Sequence, residues 1–262
     1  MRIDLTGKVA LVNAGSQGIG KAVAKGLSDA GAVVCITART RDRLMDTAGQ
    51  ISQATGNNVS YFACDLVKPE SVDEVYNYVR NTIGEPDILI NNNGGPKQGS
   101  FFELSSDDFQ NALDQSLLTS INFTRKFAPY MLKRKWGRII NISSTLAKEP
   151  TPAMILSSTA RAGLSAFSKA LSIEMAPKGV TINTVCPGGV LTERLTSLLK
   201  EKSIKEDIPY DELVSKSSKS IPLGRFASPD EFASIILFLS SEHSSYLTGT
   251  VINVDGSLTK YV

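Results

Sequence analysis

Apolar residues recur along the chain in short runs, each about as long as a strand. The runs are Val9–Val12, Val33–Thr37, Val59–Ala63, Ile88–Ile90, Ile139–Ile142, Thr181–Val185 and Val251–Val254. Several are rich in β-branched residues, and they read as near-continuous apolar stretches, as expected for strands buried on both faces. Between them the spacing becomes helical. Ile19, Val23 and Leu27 repeat every four residues, and Leu164, Phe167, Leu171 and Met175 recur at threes and fours. Alternating strands and helices predict a parallel, seven-stranded sheet in a doubly wound α/β fold with helices on both faces. One stretch differs. Leu195–Lys219 is rich in Lys, Ser, Asp and Glu and holds two charged helical pieces around Ile208-Pro209. It reads either as a solvated helical pair or as a mobile lid over a substrate, at about 191–219. With no repeat and no low-complexity linker, residues 1–262 read as one domain.

Composition narrows the function classes. Among 262 residues, 28 are basic and 26 acidic, a net charge of +2. A surface built for nucleic acid needs a larger basic excess. No apolar run approaches the ~20 residues of a membrane span. Cys35, Cys64 and Cys186 are far apart, and His243 is the lone histidine. That inventory argues against a Cys/His metal site and a His-based nucleophilic triad. The cysteines lie in or beside apolar runs and read as core residues. An odd cysteine count without a signal peptide predicts a cytoplasmic protein.

The first strand runs into Asn13-Ala14-Gly15-Ser16-Gln17-Gly18-Ile19-Gly20, and a helix follows. A glycine-rich strand-to-helix turn presents backbone N–H groups and the positive end of a helix dipole to a pyrophosphate. In this position it predicts a Rossmann-type dinucleotide site. The second strand ends in Thr37-Ala38-Arg39-Thr40-Arg41, with no acidic residue before Asp42. An acidic side chain there would take the ribose 2′-hydroxyl of NAD, whereas Arg39 suits the 2′-phosphate of NADP. NADP (NADPH) is therefore the expected cofactor, ahead of NAD.

With these segments in place the chain resembles the short-chain dehydrogenase/reductase family over nearly its whole length. Gly18-Ile19-Gly20 is similar to the end of that family's TGxxxGIG turn. Asp65-Leu66 is similar to its adenine-contacting segment, and Asn91-Asn92-Asn93-Gly94 to its NNAG. Pro187-Gly188 with Thr192 is similar to its PG…T segment, which holds the nicotinamide carboxamide. Leu223-Gly224-Arg225 through Val254-Asp255-Gly256 resembles the 3-oxoacyl-carrier-protein reductase branch. Two departures affect fit. Asn13-Ala14 replaces Thr-Gly, and Ala14 adopts a positive φ only at a cost. Asn93 replaces the alanine of NNAG.

The catalytic end departs further. The resemblance implies Asn, Ser, Tyr and Lys, with Tyr moving the proton. Ser144 matches the serine. The Tyr-x-x-x-Lys pair falls on Ser157 and Arg161, thirteen residues after Ser144, and no tyrosine lies between Ser144 and Tyr210. The family Asn falls on Ser116. A serine hydroxyl is a far weaker acid than a phenol, and arginine keeps its proton. Ser157 and Arg161 therefore bind and polarise better than they relay protons. Lys97 in Gly94-Gly95-Pro96-Lys97 and Lys148 in Lys148-Glu149-Pro150 are candidate replacements, as is Glu149 if buried. The alternative is that these are solvated loop charges.

Three readings follow. The first is an NADP-dependent oxidoreductase acting on a small-molecule carbonyl or acyl substrate, 3-oxoacyl thioesters included, with Ser144 on the carbonyl oxygen. The second is a non-catalytic or regulatory nucleotide-binding protein on the same scaffold. The third is an enzyme of altered chemistry, such as elimination or isomerisation. The apolar-striped helices expected at Asp107–Lys133 and Ser157–Pro177 correspond to those the family uses for assembly, implying a homodimer or homotetramer.

Overall fold

The computed structural model describes residues 2–261. Seven parallel strands form one sheet in the order β3-β2-β1-β4-β5-β6-β7. They are β1 (Val9–Val12), β2 (Val33–Ala38), β3 (Val59–Ala63), β4 (Ile88–Asn91), β5 (Gly137–Ile142), β6 (Val180–Pro187) and β7 (Val251–Val254). The helices are α1 (Gly18–Asp29), α2 (Arg41–Thr55), α3 (Pro69–Thr82), α4 (Ser106–Leu113), α5 (Thr119–Arg134), α6 (Ile155–Met175), α7 (Glu193–Glu206), α8 (Tyr210–Lys219) and α9 (Pro229–Leu239). The doubly wound fold is as the pattern predicts.

Strand alternation divides the interior into two cores. Ala10 and Val12 of β1 face one side, where Val23 and Leu27 of α1, Leu44 and Ile51 of α2, and Phe232 and Ile236 of α9 pack. Leu11, between them in sequence, faces the other, against Val75 and Val79 of α3 and Phe123, Phe127 and Met131 of α5. Both faces of the central strands are dry, which is why their sequences are apolar without alternation.

The chain winds outward from β1 in one direction to β3, then crosses back to β4 on the other side of β1. The carboxyl ends of β1 and β4 therefore diverge, and a crevice opens above them at the switch point.

The helix expected at Asp107–Lys133 is interrupted. Its backbone widens into a π-helical turn at Asp114–Leu118, between α4 and α5. The Thr119 hydroxyl donates to the Asp114 carbonyl at 2.8 Å, capping the widened turn. Apolar spacing runs on through such a bulge, so the pattern alone reads as one helix. The charged stretch forms α7 and α8, separated at Ile208-Pro209 as its composition indicates. No helix among the described residues is long and apolar enough to cross a membrane.

Candidate functional site: a cleft with two cationic ends

A cleft of about 480 Å³ lies over the switch point, walled by the carboxyl ends of the strands and by α7. Its floor is the turn after β1. Asn13 is buried and accepts the Thr37 hydroxyl at 2.9 Å. Ala14 sits at φ 48°, the left-handed conformation that alanine adopts only at a cost. The Asn92 amide, just past the end of β4, donates to the Ala14 carbonyl at 3.2 Å and pins the turn to the sheet. A Cβ on Gly20 would land on that same carbonyl and 2.8 Å from Asn92 Nδ2, so only glycine lets α1 approach this closely. Gln17 precedes α1 without capping it, and the first N–H groups of the helix stay open toward the cleft.

At the far end of β2, Arg39 lines the cleft with Arg43 of α2. The Gln17 amide oxygen accepts from Arg43. Neither arginine forms an ion pair among the described residues. Asp65 and Leu66 form the adjacent wall after β3.

The other end of the cleft is built from β5, β6, α6 and α7. Ser144 follows β5 and accepts the Leu146 N–H at 3.3 Å, which leaves its hydroxyl proton free to donate. Ser157 and Arg161 lie one helical turn apart on α6, both buried and both on the cleft wall. Arg161 Nη1 donates to the Ile142 carbonyl at 2.7 Å. Burial, seconded by the charge of Arg194, lowers its pKa to about 10, so it stays charged at neutral pH. Pro187 and Gly188 line the cleft where β6 ends. Gly188 packs so closely that a Cβ would lie 2.7 Å from Asp255 Cα. Thr192 caps α7 by accepting the Leu195 N–H at 3.3 Å.

The cleft thus gathers Ser16, Gln17, Gly18, Ile19, Arg39, Asp65, Leu66, Asn92, Asn93, Gly94, Pro187, Gly188, Thr192, Ser144, Ser157 and Arg161 along its wall. Asn13, Gly15 and Gly20 stand behind the wall and shape it. The two lysines are not on it. Lys97 Nζ pairs with Asp108 at 2.7 Å and is largely exposed. Asp108 is also the acidic member of the capping box that opens α4. Lys148 Nζ sits 4.7 Å from the Tyr261 ring centre, and Glu149 accepts the Lys260 N–H at 2.5 Å. Ser116 is fully buried in the π-helical turn, its hydroxyl without a protein partner. Of the cysteines, Cys35 and Cys186 are core residues, whereas Cys64 is half-buried and reaches the cleft. Burial pushes the Cys64 thiol up to about 12, which makes it inert.

Wall residues that the sequence did not single out include Arg43, Gln115, Thr119 and, within the expected lid, Arg194. Arg194 carried one usable signal. It occupies the first turn of α7, where the helix dipole favours an acid. Its guanidinium donates to the Gly95 and Pro96 carbonyls at 3.2 and 3.4 Å.

The chain is similar to known proteins over nearly its whole length. A family model described as enoyl-(acyl carrier protein) reductase matches residues 13–259. The 3-oxoacyl-(acyl-carrier-protein) reductase FabG of Aquifex aeolicus is 36% identical over 258 residues, which cover 98% of this chain and 100% of that one. An L-sorbose reductase from Gluconobacter frateurii, solved with NADPH and L-sorbose, superposes with a TM-score of 0.96 at 31% identity, covering 100% of both chains. An NADPH-bound short chain oxidoreductase from Pseudomonas aeruginosa PAO1, described as containing an atypical catalytic center, gives 0.90 at 32% identity, covering 99% and 100%.

Proposed function

The chain belongs to the short-chain dehydrogenase/reductase family, and we propose that it is an NADPH-dependent reductase of small carbonyl compounds, with 3-oxoacyl substrates the first class to test. The observation that carries this reading is the two-ended cleft. An open helix N-terminus and two unpaired arginines stand at one end, and a hydroxyl–guanidinium cluster stands at the other.

The residues present fit the cofactor. The crowded Gly20 approach brings the α1 N–H groups against the turn, in reach of a pyrophosphate. Arg39 and Arg43 supply charge for a 2′-phosphate, and no acid competes for them. Asp65 and Leu66 would border the adenine, and Asn93, Gly94, Pro187, Gly188 and Thr192 would border the nicotinamide; all seven line the cleft. When bound, NADPH supplies the hydride that converts the carbonyl carbon to a carbinol. Ser144 donates its hydroxyl proton in a hydrogen bond to the carbonyl oxygen. Arg161, charged and shielded from bulk water, stabilises the oxygen as negative charge grows on it. Arg161 stays charged at neutral pH and Ser157 keeps its proton, so the proton comes from solvent: Ser157 orients a water that passes it to the alkoxide and takes another from solvent. Of the cleft's charged wall, α7 forms part through Arg194, and it serves as the lid.

Assembly is proposed to run through α5 and α6. The latter exposes Ala162, Ala166, Ala170 and Ile173 along one stripe, with Ile173 69% exposed. The free cysteines suit a reducing cytoplasm.

The test is calorimetric titration with NADPH and NADH, followed by turnover against a carbonyl panel. NADPH is expected to bind at least ~10-fold tighter than NADH, and Arg39→Ala to remove most of that preference. Binding of neither nucleotide would sink the proposal. Binding without turnover of any carbonyl would favour a nucleotide-binding protein instead.

A further inference from the structure

Arg161 is 6% exposed, yet no carboxylate among the described residues pairs with it. A buried guanidinium ordinarily finds a carboxylate, because burying an unpaired cation is costly. Its neighbours do not neutralise it. Ser144 and Ser157 are uncharged, and burial raises the Cys186 thiol, which therefore stays protonated. Its side chain makes a single hydrogen bond, to Ile142, and the remaining guanidinium donors have no protein acceptor.

Arg194 faces the same cleft from α7. Its guanidinium lies on the loop after β4, where a Cβ on Gly95 would come within 2.5 Å of Nη2. The loop thus has a gap shaped for this group. Arg194 is near enough for its charge to be felt at Arg161, so two like charges share one end of the cleft, and neither is in an ion pair among the described residues. The other cationic pair, Arg39 and Arg43, stands at the β2 end, where the 2′-phosphate belongs. The second pair lines the cleft with Ser144, away from the β2 end.

We propose that Arg161 and Arg194 form an anion subsite for a carboxylate carried by the carbonyl substrate, which makes the preferred substrates free oxo acids. This rests on the reductase reading of the cleft. A planar carboxylate matches guanidinium forks and relieves the repulsion between them. The other source of an anion is a phosphate of the cofactor itself, and the test separates the two.

The experiment titrates 3-oxohexanoate and its methyl ester into the protein, with and without NADP⁺, for wild type, Arg194→Gln and Arg161→Lys. NADP⁺ affinity is measured for each. The acid is expected to bind about tenfold tighter than the ester in wild type. In Arg194→Gln that ratio falls to about twofold or less while NADP⁺ affinity is unchanged. Arg161→Lys, which keeps the charge and the fold, retains a preference for the acid but a smaller one. Equal binding of acid and ester, or binding of neither, overturns the proposal. So does an Arg194→Gln variant that loses NADP⁺ affinity with its acid preference intact, since the guanidinium would then belong to the cofactor phosphate. An acid that binds with the expected preference but is not reduced in the presence of NADPH leaves the subsite standing and ends the reductase reading.

Discussion

Ala14 is the residue where strain and function meet. At φ 48° an L side chain costs about 1–2 kcal/mol, and glycine avoids that cost while loosening the unfolded chain by about 0.4–1 kcal/mol. Ala14→Gly is therefore expected to stabilise the protein by about 0.5–1 kcal/mol, raising Tm by about 2–4 °C per kcal/mol in a chain of this size. Scanning calorimetry checks this, and a lowered Tm would show that the turn is relaxed as it stands. Gly20→Ala should do the reverse, because its Cβ would collide with the Ala14 carbonyl and with the Asn92 amide. A correctly packed Gly20→Ala protein that still binds NADPH at wild-type affinity would contradict the account of the turn. Ser144 is the other decisive residue. Ser144→Ala is expected to lower kcat by about 10²–10³ with little change in KM, the signature of a donor felt mainly in the transition state.

At the scale of elements, α6 carries Ser157 and Arg161 into the cleft one turn apart, and burial sets the behaviour of the pair. Burial brings Arg161 down to about 10, so its positive charge persists through neutral pH and is lost only as pH rises through that value. A lysine lowered by the same amount would titrate near pH ~8. The kcat/KM of the wild type is thus expected to show no inflection from Arg161 between pH 6 and 9, and Arg161→Lys to gain a falling limb as pH rises through that range. Matching profiles would remove Arg161 from the chemistry. The elements themselves were largely legible. Runs such as Ile88–Ile90 and Thr181–Val185 are apolar because both faces of the sheet are covered, and a pattern records that directly. The π-helical turn was not legible, since it adds a residue to a helix without breaking the apolar stripe. The nucleotide end was legible because strand, glycine turn and helix are contiguous in sequence. The carbonyl end was less so. Lys97 is paired with Asp108 across a loop, and Arg194 reaches the Gly95 loop from ninety-nine positions away. Contacts of that kind leave no local mark.

At the scale of the whole molecule, the sheet holds the two cationic ends at opposite sides of one cleft. A ligand that fills this cleft in the folded state alone stabilises it by mass action. NADPH at 100 times its Kd is expected to add about 2.7 kcal/mol, with NADH at the same concentration adding less. The stripe on α6 predicts a dimer or tetramer by light scattering, and Ala166→Glu should shift it toward the monomer. A monomeric wild type would contradict that assembly. Hydride transfer from NADPH to a carbonyl carbon in this cleft, without a tyrosine–lysine pair, is tested by supplying NADPH deuterated at C4 with 3-oxoacyl substrates and weighing the products by mass spectrometry. An alcohol carrying one deuterium on the carbinol carbon is expected. NADPH bound at the expected affinity, with no deuterium in any product, would rule the transfer out.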